Sequence, residues 1–419
     1  MVRITGPGTK KTVTRLAGDL PAARVAGRRR LVDPQSCDVL DEAMVLWFPS
    51  PRSATGEDVA ELHLHGSRAV LAAVMQVLAG LGLRLAQPGE FTRRAFLNGK
   101  LDLLQAEAIA DLAAAETEAQ RRQALRQLDG DLGDIYRGWS ARLTRLLAHL
   151  EAVIDFPDED LPPEIEDHIL GEAEGLLAEI EHHLADGRRG ERLRDGIHVA
   201  IVGPPNAGKS SLLNRIARRE AAITSPVAGT TRDVIEVAID LVGYPVVLAD
   251  TAGLRDSTDA IEQEGNRRAL RRAEQAEIRL FVFDAGQPQD VGAAERWPGA
   301  NTILVANKVD LLPPAGAHFP SSVLPISALT GDGVDGLLAT LGERVAQNYR
   351  IEAPVLTRAR HRQALEDAAA ALRRSFSASF PELRAEDFRL ALRSLGRITG
   401  TVDVEDLLDV IFRDFCIGK

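Results

Sequence analysis

The sequence predicts a multidomain α/β protein: a small α+β domain, then an all-helical domain into which a mostly parallel sheet domain with helices on both faces is inserted. Three observations carry this. The first hundred residues mix alternating apolar runs with helical ones, and residues from about Leu101 to Arg194 are almost wholly helical in period. From Ile197 short apolar strands alternate with helical segments, and helices return near residue 350. The expected boundaries are 1–100, 101–196, 197–350 and 351–419. Two independent helical domains flanking the sheet domain fit the same pattern.

A chain of 419 residues exceeds one ordinary core, which agrees with several domains. Hydrophobic residues at 45% and charged residues at 26% are the balance of a globular protein, and aromatics at only 4% leave an Ala-, Leu-, Arg- and Glu-rich, helix-favouring remainder. The formal charge of −11 excludes a bulk basic surface for nucleic acid. Arg28–Arg30, Arg93-Arg94, Arg188–Arg194 and Arg271-Arg272 form local basic clusters, each read as a solvated helix or loop face. The cysteines, Cys37 and Cys416, make no disulfide framework and suit a reducing compartment. No apolar run reaches the roughly 20 residues of a membrane span, and no secretory pattern opens the chain. The expectation is a cytoplasmic protein without membrane association.

In chain order, "DVLDEAMVLWF" (38–48) and "VAELHL" (59–64) read as strands, followed by helices over Ser67–Gly80 and from Phe91 onward. "LDLLQAEAIADLAAAETEAQRRQALRQL" and "WSARLTRLLAHLEAVIDF" carry apolar residues at three- and four-residue spacing, until Pro157, Pro162 and Pro163 break the pattern. "IHVAIVG", "VVLAD", "IRLFVFDA", "TILVANKVD" and "VLPISAL" are the strands of the sheet domain.

"GPPNAGKSS", Gly203–Ser211, matches G-x-x-x-x-G-K-[ST] between a strand and a helix, the context in which loop amides and a helix N-terminus converge on phosphates. Asn206, Ala207, Gly208, Lys209, Ser210 and Ser211 would form this cradle. Lys209 would reach the β- and γ-phosphates, and the Ser210 hydroxyl would hold Mg²⁺. In "AGTTRD" (228–233) Thr231 is the expected second Mg²⁺ ligand. In "DTAG" (250–253) Asp250 would act on the metal through water, beside Thr251, Ala252 and Gly253. "NKVD" supplies Asn307, Lys308 and Asp310. The Asp310 carboxylate would accept from N1–H and the exocyclic amine of guanine, a pair that adenine lacks. "SAL", Ser327–Leu329, would offer a backbone amide to the guanine oxygen.

The residue after DTAG is Leu254. Leucine neither donates to nor accepts from water, so hydrolysis must draw its catalytic group from elsewhere. Glu262 is a candidate on the same segment, with Asp256, Asp259 and Glu264 as rivals.

"GPPNAGKSS", "AGTTRD", "DTAGLR" and "NKVD", together with "FPSPRSATGEDVAELHLHG", "PGEFTRRAFLNGKLDLLQAEAIADL" and the terminal "FCIGK", resemble the MnmE (TrmE) family of tRNA modification GTPases over essentially the whole chain. The resemblance implies a Ras-like P-loop GTPase domain inserted in a helical domain, behind a folate-binding-type N-terminal domain that builds a homodimer. It implies a flavin-dependent partner, MnmG (GidA), and formation of an aminomethyl or carboxymethylaminomethyl group at C5 of the wobble uridine of tRNA. The one-carbon donor is a reduced folate, 5-formyl- or 5,10-methylene-tetrahydrofolate, and tRNA is expected to bind largely through the partner. Hydrolysis in that family switches on when two GTPase domains meet around K⁺, which Asn206, Ser225, Val227 and Thr230 would surround; Ser225, Thr230 and Thr231 also fall among the GTP contacts. The family's water-orienting glutamate matches Glu262. Its folate positions fall on Arg3, Glu61, Lys100 and Lys419, and its C-terminal motif makes Cys416 a candidate in the modification chemistry. "CIGK" imitates a prenylation box, but Gly418 and Lys419 do not fit one. Family members usually begin further upstream, with a strand and a Gly-rich turn; a missed start codon is the expected reason, and a real truncation that weakens the folate site or the dimer is the alternative.

Two other functions fit less. A GTP-gated binding module with slow hydrolysis would explain the absent glutamine, but Glu262 and Asn206 count against it. A ribosome-assembly GTPase would not carry the N-terminal blocks or "FCIGK".

Overall fold

The computed structural model describes residues 1–155, 164–219, 236–250, 273–287, 289–290, 292, 294, 301–313, 319–350, 353–402, 408 and 411–412. The chain forms two compact units. One comprises Met1–Ala113, Arg126–Ala178 and Ala364–Lys419; the other comprises Ala114–Leu125 and Glu179–Gln363.

In the first unit, β1 (Val2–Thr5), β2 (Gly27–Val32), β3 (Val39–Phe48) and β4 (Val59–His63) pair antiparallel in the order β1-β4-β3-β2. Strand alternation sends Ile4, Val45, Trp47, Ala60 and Leu62 to one face, where Val13 and Leu16 of α1 (Thr9–Ala17) and Val74 and Leu78 of α2 (Arg68–Gly80) close a core. Ser67 starts α2, its Oγ accepting from the Val70 amide at 3.2 Å. The arginines at 28–30 occupy edge strand β2 rather than a helix or loop, and Arg28 and Arg30 both pair with Glu42 on β3. Charged side chains along an exposed edge discourage pairing with a further strand.

Helix α3 (Glu90–Leu97) opens with a carboxylate between two guanidinium groups: Glu90 contacts Arg84 at 2.7 Å and Arg94 at 2.8 Å. The Arg84 hydrogen bond, joined by that of Arg94 and the Gln87 amide and opposed by burial, holds the Glu90 carboxyl down at about 2. A depressed folded-state value stabilises above the unfolded value of 4.5 and is lost as pH falls from there through about 2. Glu90→Gln is therefore expected to be less stable than the parent at neutral pH, with the gap closing across that window. Urea unfolding at several pH values checks it; a gap independent of pH contradicts it.

The helical elements continue with α4 (Leu103–Ala114), α5 (Glu118–Asp129), α6 (Asp131–Asp155), α7 (Glu164–Leu184), α8 (Arg189–Asp195), α9 (Lys209–Arg219), α10 (Val334–Tyr349), α11 (Ala359–Ser377) and α12 (Pro381–Thr399). In the first unit α6 packs along α12 through buried Tyr136, Leu143, Leu150, Phe388 and Leu395, with Arg389 of α12 bonded to Glu151 of α6 at 2.8 Å. Among the described residues no helix is long and apolar enough to cross a membrane.

The second unit holds a six-stranded sheet of β5 (Ile197–Val202), β6 (Glu236–Leu241), β7 (Tyr244–Asp250), β8 (Ile278–Asp284), β9 (Thr302–Asn307) and β10 (Val323–Pro325), ordered β10-β9-β8-β5-β7-β6. All neighbours run parallel except the edge pair β6–β7. Along β5, Ile197, Val199 and Ile201 face a core shared with Leu212 and Ile216 of α9 and Leu337, Leu341 and Val345 of α10. Ala200 and Val202 face the opposite core with Phe281 and Phe283. Such double-sided burial explains why these strands read as continuous apolar runs.

At the root of this unit Arg362 donates to Asp186 Oδ1 and Glu191 Oε1, both at 2.7 Å, and to the Leu184 carbonyl at 2.9 Å. Gln120 and Gln123 of α5 donate to the carbonyls of Arg194 and Gly190. The Ala119 amide donates to the Gly243 carbonyl in the β6–β7 turn at 2.9 Å.

Candidate nucleotide site

Parallel sheets bind ligands beyond the carboxyl ends of their strands, where the strand order reverses. Here that point is β5, from which the chain runs to β6 and β7 on one side and to β8, β9 and β10 on the other. The loop 203–208 leaves β5 at this position and enters α9. Two glycines shape it. Gly203 sits at φ +142°, where a Cβ would lie 2.0 Å from the Val282 carbonyl oxygen, and Gly208 at φ +89°, where a Cβ would lie 2.3 Å from Asn307 Nδ2. No side chain fits at either position, so the backbone itself forms the cradle.

Lys209 begins α9 and is only 8% exposed; its ammonium donates back to the carbonyls of Gly203 (3.0 Å) and Pro204 (2.8 Å). Burial pushes the Lys209 ammonium below its ordinary value, while Asp250 opposes the shift. Asp250 ends β7 opposite Ile201 of β5 and is 6% exposed. Its Oδ2 accepts from Ser210 Oγ at 2.5 Å, whereas its buried Oδ1 accepts no hydrogen bond among the described residues. A buried carboxylate oxygen with no donor, next to a hydroxyl at a helix N-terminus, is a donor set that fits Mg²⁺ and its waters. Ser211 and Asn206 are exposed, Asn206 at φ +62°.

At the end of β9, Asn307 is 2% exposed and bridges two loops. Its Nδ2 donates to the Ala207 carbonyl at 2.8 Å, and its Oδ1 accepts from the Ala328 amide at 2.9 Å. One amide thus joins the phosphate cradle to the 327–329 loop, in which Ser327 and Ala328 are buried and Leu329 is exposed. Lys308, at φ +68°, donates to Asp284 Oδ2 at 2.8 Å. That bond, with the Gly286 amide assisting and burial opposing, holds the Asp284 carboxyl below its usual range. Asp310 is exposed at the rim. The structure therefore gathers Asn206, Ala207, Gly208, Lys209, Ser210, Ser211, Asp250, Asn307, Lys308, Asp310, Ser327, Ala328 and Leu329 around one end of the sheet.

Ser225, Val227, Thr230, Thr231, Thr251, Ala252, Gly253, Glu262, Cys416 and Lys419 lie outside the described residues, as do Leu254, Asp256, Asp259 and Glu264. Asp284 and Arg215 escaped the sequence reading. Asp284 was visible as a strand-end aspartate in "FVFDA"; Arg215 had no local signal.

In the first unit Arg3 and Glu61 are register partners on β1 and β4, with Arg3 Nη2 2.8 Å from Glu61 Oε1 and the guanidinium 5.9 Å from the Phe91 ring centroid. His63 Nε2 lies 3.3 Å from the other Glu61 oxygen. Lys100 is exposed, with its stem beside Gly56.

The fold and this site are those of a P-loop GTP-binding protein. Comparison with known proteins narrows the class. The model of the MnmE helical domain matches residues 103–416, and that of the GTP-binding protein TrmE N-terminus matches residues 1–100. The tRNA modification GTPase MnmE of Rhodospirillum rubrum is 56% identical over 437 residues, covering 100% of this chain and 96% of the relative. That of Parvibaculum lavamentivorans is 57% identical over 426 residues with the same coverage. The 5-taurinomethyluridine-[tRNA] synthase subunit GTPB3, mitochondrial, of Danio rerio is 48% identical over 453 residues, covering 100% of this chain and 90% of the relative. The chain belongs to the MnmE family of tRNA modification GTPases, and it is an enzyme that hydrolyses GTP.

Proposed function

We propose that this chain is a potassium-activated, dimerisation-dependent GTPase that forms the aminomethyl or carboxymethylaminomethyl group at C5 of the tRNA wobble uridine. It works in the cytoplasm with the flavoprotein MnmG and a reduced folate. The observation that carries this reading is the Lys209–Ser210–Asp250 constellation beside the Asn307 bridge, in a chain whose relatives bear the names above.

Loop amides and Lys209 would bind the β- and γ-phosphates, and Asp310 would select guanine. Ser210 and Thr231 would hold Mg²⁺, with Asp250 orienting its waters. The bound metal neutralises charge shared between the two terminal phosphates. Glu262 would orient the attacking water in place of the residue at Leu254. Asn206, Ser225, Val227 and Thr230 would hold K⁺ by oxygen atoms; the exposed Asn206 amide at the cradle's edge suits that role. The ion supplies positive charge where the phosphates gain negative charge.

Toward a reduced folate, Glu61 would take the donor edge of the pterin, and Lys100 and Lys419 would take the tail carboxylates. The Arg3–Glu61 pair refines Arg3: part of its guanidinium is engaged in orienting Glu61, leaving its remaining N–H edge for a carboxylate. Cys416 would serve the modification chemistry as a thiolate.

The test is reconstitution. The purified chain, MnmG, GTP, Mg²⁺, K⁺, a reduced folate, an amine donor (ammonium for the aminomethyl group, glycine for the carboxymethylaminomethyl group) and unmodified tRNA should convert wobble uridine to its C5-substituted form, read by mass spectrometry of nucleosides. Conversion at the same rate without this chain would refute the proposal.

A further inference from the structure

We propose that Arg215, a residue of α9 outside every nucleotide motif, is the positioning residue that aims the Leu329 amide at the guanine oxygen. The inference rests on reading Asp310 and the 327–329 loop as the base-recognition elements.

Arg215 lies six residues beyond Lys209, about 9 Å along the helix axis. Its Nε donates to the Ala328 carbonyl at 3.0 Å and its Nη2 to the Leu329 carbonyl. The Ala328 amide is already committed to Asn307 Oδ1. Other amides of the loop are committed as well: Ser327 to the Asp332 carbonyl at 2.8 Å, Thr330 to Ser327 Oγ at 3.1 Å, and Gly331 to the Ser327 carbonyl at 2.8 Å. The Leu329 N–H has no acceptor among the described residues, and the Leu329 side chain, 75% exposed, does not anchor the turn by packing.

The Ala328 carbonyl and the Leu329 amide belong to one planar trans peptide, so they point in opposite directions. Drawing the carbonyl onto Arg215 turns the N–H away from α9. The guanidinium thereby orients the one amide of this loop that is free to donate to a base. It also ties the base loop to the helix whose first turn cradles the phosphates, which sets the spacing between the two halves of the nucleotide site.

Arg215→Ala in the full chain is expected to raise the GDP dissociation constant and the KM for GTP about tenfold, the loss of a net hydrogen-bonding contribution of ordinary size. KM rather than kcat should carry the loss, and the thermal midpoint should stay within about a degree of the parent. Arg215→Lys, with a single donor group, should fall between the two. Guanine, hypoxanthine and xanthine all carry the same oxygen, so ITP should lose as much as GTP. Asp310→Asn should trade GTP for XTP, and adding Arg215→Ala to it should cost XTP the same tenfold. A change below twofold in Arg215→Ala, or a loss confined to GTP, overturns the proposal. Failure of Asp310→Asn to gain XTP would instead remove the base-site reading beneath it.

Discussion

Glu262→Ala is expected to lower potassium-stimulated GTP hydrolysis by about 10²- to 10⁴-fold, the usual contribution of a positioned acid–base group, while GTP and GDP still bind. The reason starts at Leu254, whose side chain can neither accept from nor donate to a water molecule. A carboxylate further along the same segment can accept a hydrogen bond from the water and so orient it, as a glutamine does elsewhere. The parent enzyme should turn over quickly in potassium and slowly in sodium at equal ionic strength, with ATP inert in both. The variant should be slow in either salt. Equal, slow rates for the parent in both salts would favour a GTP-gated binding module over an enzyme whose hydrolysis is switched on by assembly.

Asn307→Ala should weaken guanine nucleotide binding a hundredfold or more. The side chain is 2% exposed, and its removal strands two buried groups, the Ala207 carbonyl and the Ala328 amide. Each costs about 1–3 kcal/mol when left without a partner, and about 3 kcal/mol is already a hundredfold in a binding constant. Asn307→Asp is the sharper variant because it is isosteric. It keeps the acceptor for Ala328 but sets an oxygen against the Ala207 carbonyl, so only the cradle side of the bridge fails. Titration with a fluorescent GDP analogue, together with thermal unfolding, checks both. Aspartate binding as tightly as asparagine would mean that the contact to Ala207 does not hold the cradle.

The parts of this site that sequence made legible are those set by local chain geometry. A glycine-rich loop between strand and helix, an aspartate ending "VVLAD" and an asparagine ending "TILVAN" each sit in a short stretch whose periodicity reveals their position. The strands at β3, β4, β5, β7, β8, β9 and β10 appeared for the same reason. What stayed hidden depends on elements far apart in the chain. Arg215 reaches a loop 113 residues later, and Arg3 meets Glu61 only because β1 and β4 are neighbours in the sheet. Edge strand β2 was hidden by its own arginines, since three consecutive charges mask the alternation that marks a strand. The Arg84 contact of Glu90 was hidden because it crosses from the segment before α3 to the helix's first turn, whereas the Arg94 contact is an i,i+4 pair within the helix.

The Arg362 clamp also bears on the order in which the polypeptide acquires its structure. Its partner Glu191 precedes it by 171 residues. At a synthesis rate of roughly 5–20 residues per second, the carboxylate waits on the order of ten to thirty seconds for the guanidinium to be made. During that interval the whole intervening sheet, with its phosphate loop, its base loop and the helix that ends at Tyr349, is translated. The sheet can therefore condense first, and the junction closes afterwards around a folded body, which spares the entropy of cinching a long flexible loop. Refolding of the intact chain from denaturant offers no such head start, because Glu191 and Arg362 are both present from the outset and the junction can close before the sheet is complete.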